Sequence, residues 1–366
     1  MITSLRRLTD RLFGRGDAAT TIPPFDGPLK PNQWLETAPV LLSLDDAEDL
    51  ATDGHALYVA AGPRVFRLDH DRLTEIARCD GTITALCCLP EKAFAVAIAG
   101  TRVRIIGGPQ DGRVWSDVAG RPLTSVNALA LTEDGSGLLL TDGSQEYPYE
   151  RWCHDLMAGG RSGRAAVLDL AGDGGRDIVN GLAYAFGVCA AGSAVWISES
   201  WAHRVIALAG GGGRQPLLES LPVYPSRLTP GSGGGFWLTA FTARTQLVEF
   251  ILREPAYRRR MMREIDPRFW IAPKLSPGSS YLEPMQGAHI RTMGILKPWA
   301  PPRSYGLVIR LTAEGLPMYS LHSRADGKHH GIVAAVECGG HLHVLAKGSG
   351  KILRLGVAGM EREFAA

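Results

Sequence analysis

Long apolar runs are missing from this 366-residue sequence. Its first residues, MITSLRRLTDRLFGRGD, hold neither a signal-peptide core nor the roughly 18 consecutive apolar residues of a membrane span. Metal-ligand spacing is missing too. Cys79, Cys87, Cys88, Cys153, Cys189 and Cys338 form no ligand pattern, and the Cys87-Cys88 pair lies in an apolar run, so small buried thiols are expected. Reduced thiols without an export signal lead to the expectation of a cytoplasmic protein. An excess of one charge is absent: 39 basic against 37 acidic residues leave +2, too little for a global field that would draw in nucleic acid. No Gly-x-Ser-x-Gly elbow and no phosphate-binding glycine loop occur, and GGGGR at 210–214 reads as a turn because no helix follows it.

What the chain does have is 44 glycines and 23 prolines without a three-residue period, which suits an all-β protein full of tight turns. A phrase recurs: apolar strand, Gly/Asp turn, second apolar strand, then a third with alternating residues. It runs over 47–69, 126–144, 186–209, 226–241 and 331–355, with a weaker copy at 82–106. Period-two strands joined by glycine turns at this spacing are the mark of propeller blades, and the count is six. The expected fold is therefore all-β, a six-bladed β-propeller occupying residues 36–366 as one domain. One stretch breaks the pattern. LVEFILREPAYRRRMMRE at 247–264 has helical spacing, and a Pro/Gly-rich loop follows to about Arg303, so a helix and lid-like insertion is expected over about 247–303 in blade five. Residues 1–35 form a leader. Leu5, Leu8 and Leu12 would share one face of a short helix there, with Arg6, Arg7 and Arg11 elsewhere, which admits peripheral membrane contact as well as a packed leader. The 258–263 arginine run admits the same two readings.

These phrases resemble the strictosidine synthase-like propellers, in particular the adipocyte plasma membrane-associated protein-like branch, and more distantly the gluconolactonases and paraoxonases. The motifs that carry the resemblance are VNALALTEDG, the TDGS turn at 141–144, RSGRAAVLDL at 161–170, GLAYAFGV at 181–188, ISESWAHRV at 197–205, LPVYPSRL at 221–228 and GGGFWLTA at 233–240. In metal-dependent relatives a divalent cation, often calcium, sits at the top of the channel on side chains from the inner strands. The resemblance places those ligands at Glu48, Asn127, Phe186 and the Pro225-Ser226-Arg227 segment. Two of the four are no longer ligands, so no cofactor is the expectation, with calcium on the remaining two as the alternative. Arg227 is expected to pair with Glu48 where the cation would stand. The glutamate that acts as acid/base in strictosidine synthase falls on Val333, counted from the Glu337-Cys338-Gly339-Gly340 turn, which excludes Pictet–Spengler chemistry by that route.

Other residues then become candidates. His330, oriented by Glu48, would activate water, while Arg227 and Asn127 would stabilise an oxyanion. A pocket for a small apolar or aromatic ligand would be lined by Phe186, Tyr224, Trp201, Tyr147, Tyr149, Trp152 and His329. The expectation is a metal-independent ester or lactone hydrolase. The alternative is a non-catalytic ligand-binding or scaffolding propeller with a decayed metal site. Substrate identity and oligomeric state stay open.

Overall fold

A computed structural model of the chain describes residues 22–69, 72–172, 174–210, 213–277, 291–292, 295–296, 304–323 and 327–365. The leader helix expected within residues 1–21, and most of the loop expected over 276–303, lie outside the described residues.

Six four-stranded antiparallel sheets stand around one axis. Blade one spans Ala47–Thr52, Leu57–Ala61, Arg64–Asp69 and Arg72–Arg78, and blade two runs from Ile83–Leu89 out to Val114–Trp115. Blades three and four start at Val126–Leu131 and Ala185–Ala191, blade five at Val223–Pro230 and blade six at Ile332–Cys338. The outermost strand of blade six is Val40–Ser43, which pairs with Lys351–Gly356 and so ties the two ends of the ring together. Second strands such as Ala93–Ile98 and Phe236–Ala243 are buried along their whole length. That is why they read as apolar runs, whereas an outer strand such as Arg72–Arg78 is exposed at all but two of its positions and reads as mostly polar.

Among the described residues five α-helices accompany the sheets: α1 (Trp34–Thr37), α2 (Trp152–Ala158), α3 (Gln246–Arg253), α4 (Pro255–Glu264) and α5 (Val357–Ala365). The single helix expected over 247–264 is two helices, because Pro255 has no N–H to continue the ladder and starts a new helix after Glu254. Both lie in blade five between its second strand and its third, Leu307–Leu311. Thr245 caps α3, its side chain accepting from the Val248 N–H. Inward-facing Ile251 and Met261, with Trp270 and Ala272 beyond, join the same core as Tyr184, Phe186, Phe241 and Val333. The insertion is thus packed over the end of the channel where these aromatic residues gather. Glu249 fixes it there, bonded to Arg244 at 3.1 Å and to the Tyr224 hydroxyl at 3.3 Å.

Candidate functional site

All six inner strands share one irregularity. Near its start each skips residues in the pairing register: Glu48, Thr84, Asn127, Phe186-Gly187, Ser226-Arg227 and Val333 have no partner on the second strand. A bulge re-aims side chains and frees backbone groups from the ladder. Here it does so six times around the axis. Neighbouring blades use the freed groups to hold one another: Asn127 Nδ2 donates to Ala185 O, Thr141 to Phe186 O and Thr84 to Val126 O, all within 2.8 Å. Gly187 is required at its bulge, since a Cβ there would lie 2.8 Å from the Arg227 Cα.

Arg227 fills the centre of the ring. Its Nη1 donates to the carbonyls of Glu48 (3.3 Å) and Val333 (3.2 Å), and its Nη2 to that of Thr84 (2.8 Å). These three carbonyls belong to bulge residues of three blades. Its Nε lies 3.2 Å from Asp49 Oδ1, close enough for an ion pair although off the hydrogen-bond line. Phe186 faces the guanidinium at 5.4 Å. The expected pairing of Arg227 with the Glu48 carboxylate is therefore corrected: Arg227 takes the Glu48 carbonyl and the Asp49 carboxylate. The bulge is the reason, because it sends the side chains of adjacent residues to different levels of the channel. Asp49 also accepts the Leu86 N–H (2.9 Å) and the Leu50 N–H (2.8 Å). Burial pushes its carboxyl up to about 6, against the pull of Arg227.

Above Arg227 the channel opens into a cavity of about 220 Å³. Its walls are Trp152, Tyr184, Phe186, Trp201, Phe241, Leu275 and Val333, and its polar end is Glu48, Tyr149 and Lys347, with Glu150 at the rim. The Tyr149 hydroxyl donates to Glu48 Oε2 at 2.8 Å, Lys347 Nζ pairs with the same oxygen, and Nζ lies 3.3 Å from the Tyr149 hydroxyl. Burial and the adjacent Glu48 carboxylate hold the Tyr149 phenol well above its ordinary pKa, so it is a proton donor at neutral pH. The walls are fixed from behind. Trp201 stacks on Tyr184 with centroids 4.4 Å apart, and its indole N–H donates to buried Asp155 at 2.8 Å. Tyr184 holds a left-handed backbone, φ 59°, at the turn into blade four, a strained position of the kind found at binding sites.

Of the residues expected at the site, Glu48, Phe186, Trp201, Tyr149 and Trp152 do line the cavity. The others are placed elsewhere. Asn127 is buried, its amide engaged by Ala185 O and the Tyr184 hydroxyl. His330 is corrected as a base: it is buried outside the cavity lining, with Nδ1 on the Ser304 hydroxyl and Nε2 accepting the Gly327 N–H. His329 beside it is also buried away from the lining, and burial lowers its pKa. Tyr224 lies behind the wall, edge-on to Trp201, and Tyr147 turns outward to His154 and Arg151. Residues not anticipated are Asp49, Asp155, Tyr184, Phe241, Leu275 and Lys347. Lys347 had a readable signal, since Ala-Lys-Gly-Ser closes the second strand of blade six as Thr-Asp-Gly-Ser does in blade three.

The residues at the axis do not fit the divalent cation that the resemblance implies. Glu48 is tied to Lys347 and Tyr149, Asn127 to the backbone, and the Ser226 hydroxyl to Thr239 and the Ile332 carbonyl. Phe186 offers no oxygen, and Arg227 brings a fixed positive charge to the centre. Among the described residues no three His, Cys, Asp or Glu side chains gather as metal ligands.

No family model matches the chain. It is 25% identical over 269 residues to the adipocyte plasma membrane-associated protein of Rattus norvegicus, covering 65% of this chain and 72% of that one. To the protein of the same name from Salmo salar it is 24% identical over 353 residues, 88% and 77% of the two chains. Among solved structures it resembles a gluconolactonase of Xanthomonas campestris, with TM-score 0.56 at 12% identity over 92% of this chain and 96% of that one. It also resembles the calcium-binding protein regucalcin of Agrobacterium tumefaciens, with TM-score 0.53 at 10% identity over 87% and 93%. The family resemblance drawn from the sequence motifs is borne out by the first two, and the six-bladed fold by the others.

Proposed function

We propose that this propeller binds a small apolar or aromatic molecule in the mouth cavity and hydrolyses an ester or lactone bond in it without a metal ion. The observation that carries the reading is the Glu48–Tyr149–Lys347 cluster at the polar end of an otherwise aromatic cavity. An acyl carbonyl set beside the cluster would meet two donors, the Lys347 ammonium and the Tyr149 hydroxyl, where negative charge develops on its oxygen. Glu48 receives both donors on Oε2, and among the described residues no bond falls on Oε1, which is free to take a proton from an attacking water. Water attacks the acyl carbon, the tetrahedral oxyanion collapses, and the alkoxide leaves with the proton held by Glu48 or by Tyr149. Val333 puts a hydrocarbon where the synthase glutamate would stand, which argues against amine–aldehyde condensation by that route. The relatives with gluconolactonase in their names lend support at the level of fold.

A ligand-binding propeller without turnover is the second reading. It is favoured by the mutual satisfaction of Glu48, Tyr149 and Lys347, which leaves the cluster at rest without substrate. One experiment separates the two: purified protein is offered aryl esters and lactones with and without chelator. Turnover that survives chelator and disappears in Glu48→Gln and Lys347→Met supports hydrolysis. Turnover abolished by chelator overturns the metal-free mechanism, and no turnover together with a ligand-induced rise in Tm supports the binding reading. The free cysteines favour the cytoplasm as the proposed location. No helix among the described residues is long and apolar enough to cross a membrane.

A further inference from the structure

The blade-five insertion has two unlike faces. Inward, Val248, Ile251 and Met261 are buried against the propeller. Outward, Phe250, Tyr257 and Ile265 are 52%, 49% and 45% exposed. Eight large hydrophobic residues are exposed in the described molecule, and three of them fall within these 16 positions. Scattered exposed apolar residues need no explanation, but a concentration within one short segment does.

Positive charge concentrates in the same segment. Residues 244–277 hold eight basic and four acidic side chains, a net +4 against +2 for the whole chain, so the rest of the molecule is net −2. The neutralising carboxylates are too few. Glu264 serves both Arg260 (2.8 Å) and Arg263 (3.8 Å), side chains that are 72% and 71% exposed. Arg259 is exposed, and none of the ion pairs described includes it. Exposed aromatic side chains set among arginines that outnumber their carboxylates on short helices complement a surface that is negatively charged and has an apolar interior.

We propose that the outward face of α3 and α4, with Phe250, Tyr257 and Ile265 among Arg259, Arg260 and Arg263, docks on an anionic lipid surface. The insertion sits at the mouth end of the channel, where Leu275 just beyond it lines the cavity. Docking through this face therefore turns the cavity toward the bilayer, where an apolar ligand is concentrated. The inference stands on the insertion alone and does not depend on the hydrolytic reading.

The test is co-flotation of the full chain with vesicles of phosphatidylcholine alone and with phosphatidylserine added. The expected result is binding to the second only, weakened as salt shortens the Debye length. Replacing Arg259, Arg260 and Arg263 together by Gln lowers vesicle affinity on the order of a hundredfold, at about a factor of five per arginine. Phe250→Ser with Tyr257→Ser lowers it roughly tenfold by removing buried apolar area. A control carrying Arg6→Gln, Arg7→Gln and Arg11→Gln keeps its binding. Each variant is checked by thermal melting, which these exposed positions should leave unchanged. Failure to bind phosphatidylserine vesicles, binding that survives the triple replacement, or binding lost in the leader control would each overturn the proposal. Retention on a soluble polyanion such as heparin without vesicle binding would overturn the lipid assignment.

Discussion

Two cation–carboxylate pairs built on the adjacent residues Glu48 and Asp49 do different work in this propeller. At the axis, Arg227 and Asp49 are 5% and 3% exposed, and bonds to three bulge carbonyls and two backbone N–H groups use up nearly every polar direction around them. At the mouth, Lys347 and Glu48 are 21% and 13% exposed and border an open cavity. The chemistry of the partners is similar, but their surroundings are not. A pair whose polar groups are taken up by the backbone holds the blades together, although both of its residues also border a second cavity of about 410 Å³. A pair with one face on a cavity can exchange its partner for a ligand.

Breaking the buried pair should have the largest effect. Arg227→Ala leaves the Asp49 carboxylate buried without its cation and three carbonyls without donors, and should destabilise the fold by about 3–5 kcal/mol in denaturant titration. Adding Asp49→Ala should recover part of that loss. An Arg227→Ala protein melting with the wild type would mean that the axis pair does not hold the blades.

The mouth pair should show the opposite balance. Glu48→Gln and Lys347→Met should each slow ester or lactone turnover by about 10²–10³-fold, while stability changes by about 1 kcal/mol or less. A large stability loss with turnover intact would reverse the roles assigned to the two pairs.

A third carboxylate sharpens the comparison by pH. Burial opposes ionisation of Glu249, yet bonds from His203 and from the Arg244 guanidinium hold its carboxyl down to about 2, below the 4.5 of a free glutamate. A depressed carboxyl stabilises the fold fully above its unfolded pKa. That contribution should be lost as pH falls from about 4.5 toward 2, by up to about 3 kcal/mol. Glu249→Gln should flatten this part of the stability–pH curve, and an unchanged slope would remove Glu249 as its source.

The smallest effect belongs to a residue outside the cavity. Asp155→Asn keeps the side-chain volume but weakens the bond that fixes Trp201, and should cost ligand affinity roughly five- to tenfold in titration. No change in affinity would show that the Tyr184 stack positions the indole by itself.

The blades were legible because alternating strands and glycine turns are local properties, and even the weak copy at 82–106 is blade two. Glu48, Phe186, Trp201, Tyr149 and Trp152 were legible as cavity residues because each opens or follows a recognisable strand phrase. Asp49 was not, since nothing local distinguishes it from Glu48 until the bulge sends them to different levels. His330 illustrates the converse. Its place before an inner strand suggested the channel, but Ser304 and Gly327, 26 and three residues away, hold the ring elsewhere.

By itself, then, the sequence determined six blades, an interrupted fifth, an arginine beside the position where the resemblance places a ligand acid, and an aromatic channel mouth. Periodicity and turn chemistry act over a few residues and survive any arrangement of the blades. The tertiary structure decided which carboxylate meets Arg227, that Lys347 reaches Glu48 across 299 positions of chain, and which aromatic rings face the cavity. Those partnerships arise only when ring closure brings six bulges to one axis, because charge pairing depends on distance in space and not on separation along the chain.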